Sequence, residues 1–147
     1  MNPTPPGWPQ ISSSLTYEDA SSAIDWLCKA FGFEVRIKVP GPDGKVMHSE
    51  LTFGSGVVMV GDLREGHGPP NRKPPAAVGG ANTQNLFVYV DDVEAHFARA
   101  KAAGARIVSE PATTDYGEEY WADHGYACVD VGGHHWWFAQ RVRDGKA

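Results

Sequence analysis

One pattern occurs twice in this chain, and the repetition constrains its fold more than any other feature. The first copy opens with a short run, Ile11 to Thr16, followed by Tyr17-Glu18-Asp19. Ala20, Ala23, Ile24, Leu27 and Phe31 then recur at i, i+3, i+4, i+7 and i+11, an apolar stripe on one face of a helix. Asp19 suits the N-cap, where its carboxylate accepts an orphan backbone N–H, and Gly32 suits the left-handed position that ends a helix. The second copy runs Leu86 to Val90, Asp91-Asp92, a helix from Val93 to Ala103, and Gly104, which lies 72 residues after Gly32. A β-like run follows each glycine, Glu34–Val39 in one copy and Arg106–Ser109 in the other. Two further strands complete each copy: Val46–Phe53 and Val57–Val60 about a Gly-Ser-Gly turn, then Tyr126–Asp130 and His135–Gln140 about residues 131–134. The pattern predicts an α+β fold of two βαβββ modules, residues 10–62 and 83–141. A Pro-rich arm (1–9), a Pro/Gly-rich linker (63–82) and a short tail (142–147) lie outside them. Gly66 to Pro75 holds four prolines and two glycines together with His67, Arg72 and Lys73, and cannot form a helix or central strand. It reads as a solvated linker, with a lid as the alternative.

Composition removes several classes of function. At 147 residues the chain suffices for one domain or two small modules sharing a core. Thirteen Lys and Arg against eighteen Asp and Glu give a net charge of −5, without the basic footprint that binds a phosphate backbone, so nucleic acid is not an expected partner. No apolar run approaches the ~20 residues that span a bilayer, and Met1 to Gly7 has neither the basic start nor the apolar core of a secretion signal. Two cysteines, Cys28 and Cys128, fit a reduced chain better than a disulfide scaffold. The expected location is cytoplasmic.

Each sheet with one face under a helix leaves the other face free, and two such sheets can curl around a cup. Side chains alternate along a strand. In Val46–Phe53, Met47, Ser49, Leu51 and Phe53 make the better helix-facing set, which aims His48 and Glu50 into the cup. The same alternation assigns Ser12 from the first strand, Asn85, Phe87 and Tyr89 from the run at Leu86, and His135 and Trp137 from the last strand. Only one of Trp136 and Trp137 can face its helix. This lining suits a flat or aromatic organic ligand with a few polar handles. Glu50 in such a cup needs a partner or a raised pKa: it is either a ligand-binding or general-base carboxylate, or a structural acid paired with His48, Arg36 or Arg106. His134 is expected to fix the turn after Gly133 by hydrogen bonding, and Trp121 and His124 to lie in an insertion that forms a cup wall or a dimer contact.

With these residues in place the sequence resembles the vicinal oxygen chelate superfamily, which includes glyoxalase I, extradiol dioxygenases and bleomycin-resistance proteins. The resemblance rests on Tyr17-Glu-Asp-Ala followed by Ala23-Ile24-Asp25-Trp26 and Ala30-Phe31-Gly32-Phe33, on Met47-His48-Ser49-Glu50-Leu51, on Tyr89-Val-Asp-Asp-Val93 with Ala102-Ala103-Gly104-Ala105, and on Tyr116-Gly117-Glu118 with Asp130, Gly133, His134, Trp136 and Phe138. It covers residues 10 to 141 and implies paired βαβββ modules in a homodimer, side by side or swapped, with cups formed between modules. Metal-dependent members take one ligand from each of four strands, and the resemblance places those positions at Ser12, Glu50, Asn85 and Trp137. Only Glu50 is a good ligand, since Trp has no lone pair for a divalent cation and Ser and Asn are poor donors. The expected protein is therefore metal-free, binding a small aromatic molecule. Two alternatives stand beside it. One is a lyase, isomerase or dioxygenase with Fe, Mn, Ni or Zn on an altered set of Glu50, His48 and His135; the other is a metal-independent enzyme using Glu50 as base with His48 as its partner.

Overall fold

The computed structural model describes residues 3–63 and 71–146. Contacts divide the chain into two units, Met1–Ala81 and Asn82–Ala147. The first contains β1 (Ser13–Tyr17), α1 (Ala20–Phe31), β2 (Glu34–Pro40), β3 (Val46–Phe53) and β4 (Gly56–Asp62). The second contains β5 (Leu86–Tyr89), α2 (Val93–Ala102), β6 (Arg106–Asp115), β7 (Ala122–Val129) and β8 (His135–Arg143). Their sheets have equivalent strand orders, β1-β4-β3-β2 and β5-β8-β7-β6, each with one parallel pair at the edge and antiparallel pairs elsewhere. The two βαβββ modules expected from the repeated pattern are therefore present.

The ends of α1 follow from its sequence. The Asp19 carboxylate accepts from the Ser22 backbone N–H, and Gly32 closes the helix at φ 84°, which an L side chain resists. Asp92 caps α2 in the same way, accepting from Ala95 N–H. A second shared device pins each helix to the last strand of its own sheet. The buried Asp62 carboxylate accepts from Ala20 N–H (2.9 Å) at the start of α1, and Gln140 Oε1 accepts from Val93 N–H (3.2 Å) at the start of α2. Under α1 the core is Leu15, Tyr17, Ile24, Leu27, Phe31 and Leu51; under α2 it is Val93, Tyr126, Trp136 and Phe138, with the His96 ring 4.2 Å from Phe138.

The second sheet is longer than the sequence pattern indicates. β6 continues past Ser109 through Glu110 and Pro111, because it is an edge strand, where a missing N–H is tolerated, and because two register shifts absorb the irregularity. Ala122 to Gly125 is the beginning of β7, so Trp121–Gly125 does not form an inserted loop. Asp123 and His124 disfavour a strand by propensity, yet both are satisfied: Asp123 by Arg141, and His124 by Thr113 Oγ1 (2.8 Å) and Glu94 Oε1 (2.7 Å). β8 likewise extends from Gln140 to Arg143. In the first unit Ile11 precedes β1 and is exposed, and a register shift opposite Val39 and Pro40 leaves Val46 buried and Met47 exposed, the reverse of the simple alternation. The described end of the linker is ordered, with a 3-10 turn at Pro75–Val78 on a buried Pro75. His67 lies outside the described residues. No helix among the described residues is long and apolar enough to cross a membrane.

Candidate functional site

On the first sheet, His48, Glu50 and Thr52 alternate with the buried Ser49 and Leu51 of β3. Glu50 is nearly buried, and both its oxygens are engaged: His48 Nε2 is 3.0 Å from Oε1 and Arg36 Nε is 3.4 Å from Oε2. Its partners are thus His48 and Arg36, two of the three residues expected to pair with it. Arg36 also donates to the carbonyls of Pro6 (2.8 Å) and Gly7 (2.7 Å) and lies 5.8 Å from the Trp8 ring centroid, which fastens the Pro-rich arm to β2. Arg72, from the linker, donates to Ser14 Oγ (2.8 Å) and Thr16 Oγ1, so this part of the linker is tied to β1 and is not freely solvated. Ser12 sits just before β1 with its hydroxyl buried and unpartnered among the described residues.

The second sheet presents a different surface. β5 and β8 are parallel neighbours, with Phe87 beside Trp137 and Tyr89 beside Ala139. Trp136 and Phe138 are buried and their rings stack, while Trp137, Phe87 and Tyr89 remain roughly half exposed. Trp136 is therefore the core member of the tryptophan pair. Across β7 the same face carries Asp123, Gly125 and Ala127, paired with Arg141, Ala139 and Trp137. A cavity of about 240 Å³ lies here, with Gly125, Ala139 and Ala112 as its small residues and Phe87, Trp137 and Tyr116 as its aromatic ones. Gly125 is required: a Cβ at this position would stand 2.8 Å from the Phe138 carbonyl oxygen and 3.2 Å from Ala139 Cβ. Ser109, Glu110, Thr114 and Asp123 supply the polar lining.

A compact network ends the trough. The Tyr89 hydroxyl donates to Asp123 Oδ2 (3.0 Å), Arg141 Nε donates to Asp123 Oδ1 (2.6 Å), and Arg141 Nη2 donates to the Tyr89 oxygen. Rings of Tyr89 and Trp121 lie 5.3 and 5.1 Å from the guanidinium. Burial, followed by the bond to Asp123, raises the Tyr89 pKa, while the bond to Asp123 raises that of Arg141; the phenol stays neutral and the guanidinium charged.

Of the residues expected to line a cup, Phe87, Tyr89 and Trp137 share one face, and His48 and Glu50 are in contact on the other sheet. Asn85 is exposed immediately before β5, and His135 is half-buried at the start of β8, opposite Val129. The turn at 131–134 is held by the Asp130 carboxylate: Oδ1 accepts from Gly132 and His134 N–H (both 2.9 Å) and Oδ2 from Trp136 Nε1 (2.9 Å). His134 contributes its backbone N–H to this fixing. Asp123, Gly125 and Arg141 were not foreseen, because the strands bearing them read as shorter than they are, and Ala139, inside its expected strand, offers no polar or aromatic signal. The alternation Trp137-Ala139-Arg141, carried one residue past Gln140, was the available signal.

Among the described residues no group of three or more His, Cys, Asp and Glu side chains could hold a metal ion. Of the four positions the resemblance names, Glu50 is engaged by His48 and by a permanent cation, Arg36, while Ser12, Asn85 and Trp137 offer weak donors or none.

Comparison with known proteins agrees with the architecture. The chain is 36% identical over 136 residues to "Uncharacterized protein Mb0911c" of Mycobacterium bovis, covering 92% of this chain and 86% of that one. Among solved structures it is similar to TioX from Micromonospora sp. ML1, with 32% identity, a TM-score of 0.68, and coverage of 90% of this chain and 95% of TioX. A glyoxalase/bleomycin resistance protein from Streptomyces sp. CB03234 shares the fold, with 19% identity and a TM-score of 0.60 over 88% of this chain and 97% of that one. The family model for the Glyoxalase/Bleomycin resistance protein/Dioxygenase superfamily matches residues 10–138. With the first βαβββ module and the second up to Phe138 of its last strand inside that match, the chain belongs to the Glyoxalase/Bleomycin resistance protein/Dioxygenase superfamily.

Proposed function

We propose that this protein binds a small planar aromatic molecule, without a metal, against the open face of its second sheet. The observation carrying the reading is the trough itself: two neighbouring aromatic rings, Phe87 and Trp137, stand beside a floor of Gly125 and Ala139, where a flat ring can approach the backbone closely. Apolar walls with a few polar groups among them are what a small-molecule site requires. The poor donor set at Ser12, Glu50, Asn85 and Trp137 supports metal-free binding. The protein acts in the cytoplasm as a homodimer in this reading. Exposed Val35 and Ile37 on the edge strand β2, each 46% exposed, support a second copy covering that edge.

The test combines metal analysis with titration. Protein from cells grown with added Fe, Mn, Ni and Zn is expected to carry substoichiometric metal and to bind quinoline with unchanged affinity after chelation. Trp137→Ala should weaken that binding at least about tenfold, the scale of one lost aromatic contact. Stoichiometric metal that binding requires, or wild-type affinity in Trp137→Ala, overturns the reading. One observation favours a second reading, metal-independent acid–base chemistry: nearly buried Glu50 stands 3.0 Å from His48. Turnover of a bound ligand that is lost in Glu50→Gln would carry it.

A further inference from the structure

We infer that the ligand of this trough is a planar heteroaromatic bearing N–H donors or positive charge at one edge, and that Asp123 selects it. The inference rests on the aromatic-binding reading above and adds the electrostatic class of the ligand.

Asp123 lines the cavity and is only 8% exposed. A carboxylate has about four lone-pair sites. Two are used here, Oδ1 by Arg141 and Oδ2 by the Tyr89 hydroxyl, so each oxygen keeps acceptor capacity. Arg141 does not offer the opposite preference. Its Nε and Nη2 are committed to Asp123 and Tyr89, its Nη1 lies 3.4 Å from Asp144, and it is not among the side chains lining the cavity. Glu110, exposed and 3.7 Å from Lys101 Nζ, adds a second carboxylate to the lining, and among the described residues no cationic side chain lines the cavity. The remaining polar side chains there, Ser109 and Thr114, carry hydroxyls that both donate and accept.

The aromatic walls act in the same direction. The faces of Phe and Trp rings are electron-rich, so a cation or polarised N–H near Phe87 and Trp137 is stabilised, and an anion there is not. A carboxylate-bearing ring would instead meet the nearly buried Asp123 carboxylate, where like charges repel.

Three ligands of one ring size separate the cases: quinolin-4-amine, quinoline and quinoline-4-carboxylate, titrated calorimetrically into the full-length protein at pH 7.5. The amine, protonated and carrying N–H donors, is expected to bind at least about tenfold more tightly than quinoline, the scale of one charge-assisted hydrogen bond. The carboxylate should be weakest. Asp123→Asn should bring the amine close to quinoline while changing quinoline little. Should that variant fail to fold, Glu110→Gln, on an exposed side chain, should lower affinity for the amine more than for quinoline. Equal affinities, or tightest binding of the carboxylate, overturn this inference and leave aromatic binding intact. Failure of all three to bind the folded protein overturns both.

Discussion

Two buried carboxylates, Asp62 in the first unit and Asp130 in the second, hold backbone in place at the level of single side chains. Asp62 accepts from Ala20 N–H and from Val46 N–H (2.7 Å), joining the first turn of α1 to the beginning of β3. Asp62→Ala leaves two partly buried donors without their acceptor, and each such loss costs about 1–3 kcal/mol. Urea denaturation should therefore show a loss of roughly 2–4 kcal/mol, with Asp62→Asn retaining part of it through its side-chain oxygen. An effect below about 0.5 kcal/mol, the usual range for surface changes, would show that the two contacts do not constrain the chain. Cys128 makes a different prediction. Burial, and secondarily the Asp130 charge, push its thiol up to about 12. The unfolded thiol ionises near its ordinary value, about 8.5, and the folded one resists. Its contribution is thus complete below that ordinary value and is lost as pH rises toward 12. Stability measured across this alkaline window should fall with pH, and Cys128→Ala should remove part of the slope.

At the level of elements, Gly125 decides how the second sheet and its trough are built. Gly125→Ala places a Cβ 2.8 Å from a backbone carbonyl that has no flexible end to move aside. The variant should lose about 1–3 kcal/mol, as overpacking does, and should bind quinoline more weakly than wild type; unchanged stability and binding would contradict the proposed floor. Elements whose local signals agree with their packing were readable from sequence. α1 was set by its stripe, Asp19 and Gly32, and β3 by its run of β-formers between turn residues. The second sheet was readable only in part. Pro111, Asp123, His124 and Gly125 each weaken a strand signal, and what restores the strands is non-local: an edge position, a cross-strand Arg141, and contacts to Thr113 and Glu94. The face bearing Phe87, Tyr89 and Trp137 was legible from alternation. The polar end of the trough was not, because Asp123 and Arg141 lie 18 residues apart and meet only through the β7–β8 register.

Across the whole molecule, one scaffold is used twice with different surfaces. The helix-to-strand tie is repeated, by Asp62 in one unit and Gln140 in the other, yet the helix-free faces have diverged. The first carries a charged cluster of Arg36, His48 and Glu50, with Arg36 also gripping the N-terminal arm. The second carries exposed aromatic rings beside small residues and a carboxylate. Duplication followed by divergence of one face lets a stable frame host a new ligand without altering either core, which is why family membership alone does not name the ligand. The central claim, that the second unit's face is where an aromatic ligand binds, is tested most directly by mapping amide chemical-shift changes in ¹⁵N-labelled protein during a quinoline titration. The account predicts saturable shifts centred on Phe87, Ala112, Gly125 and Trp137. Saturable shifts centred instead on Arg36, His48 and Glu50, or none at millimolar quinoline, would contradict it.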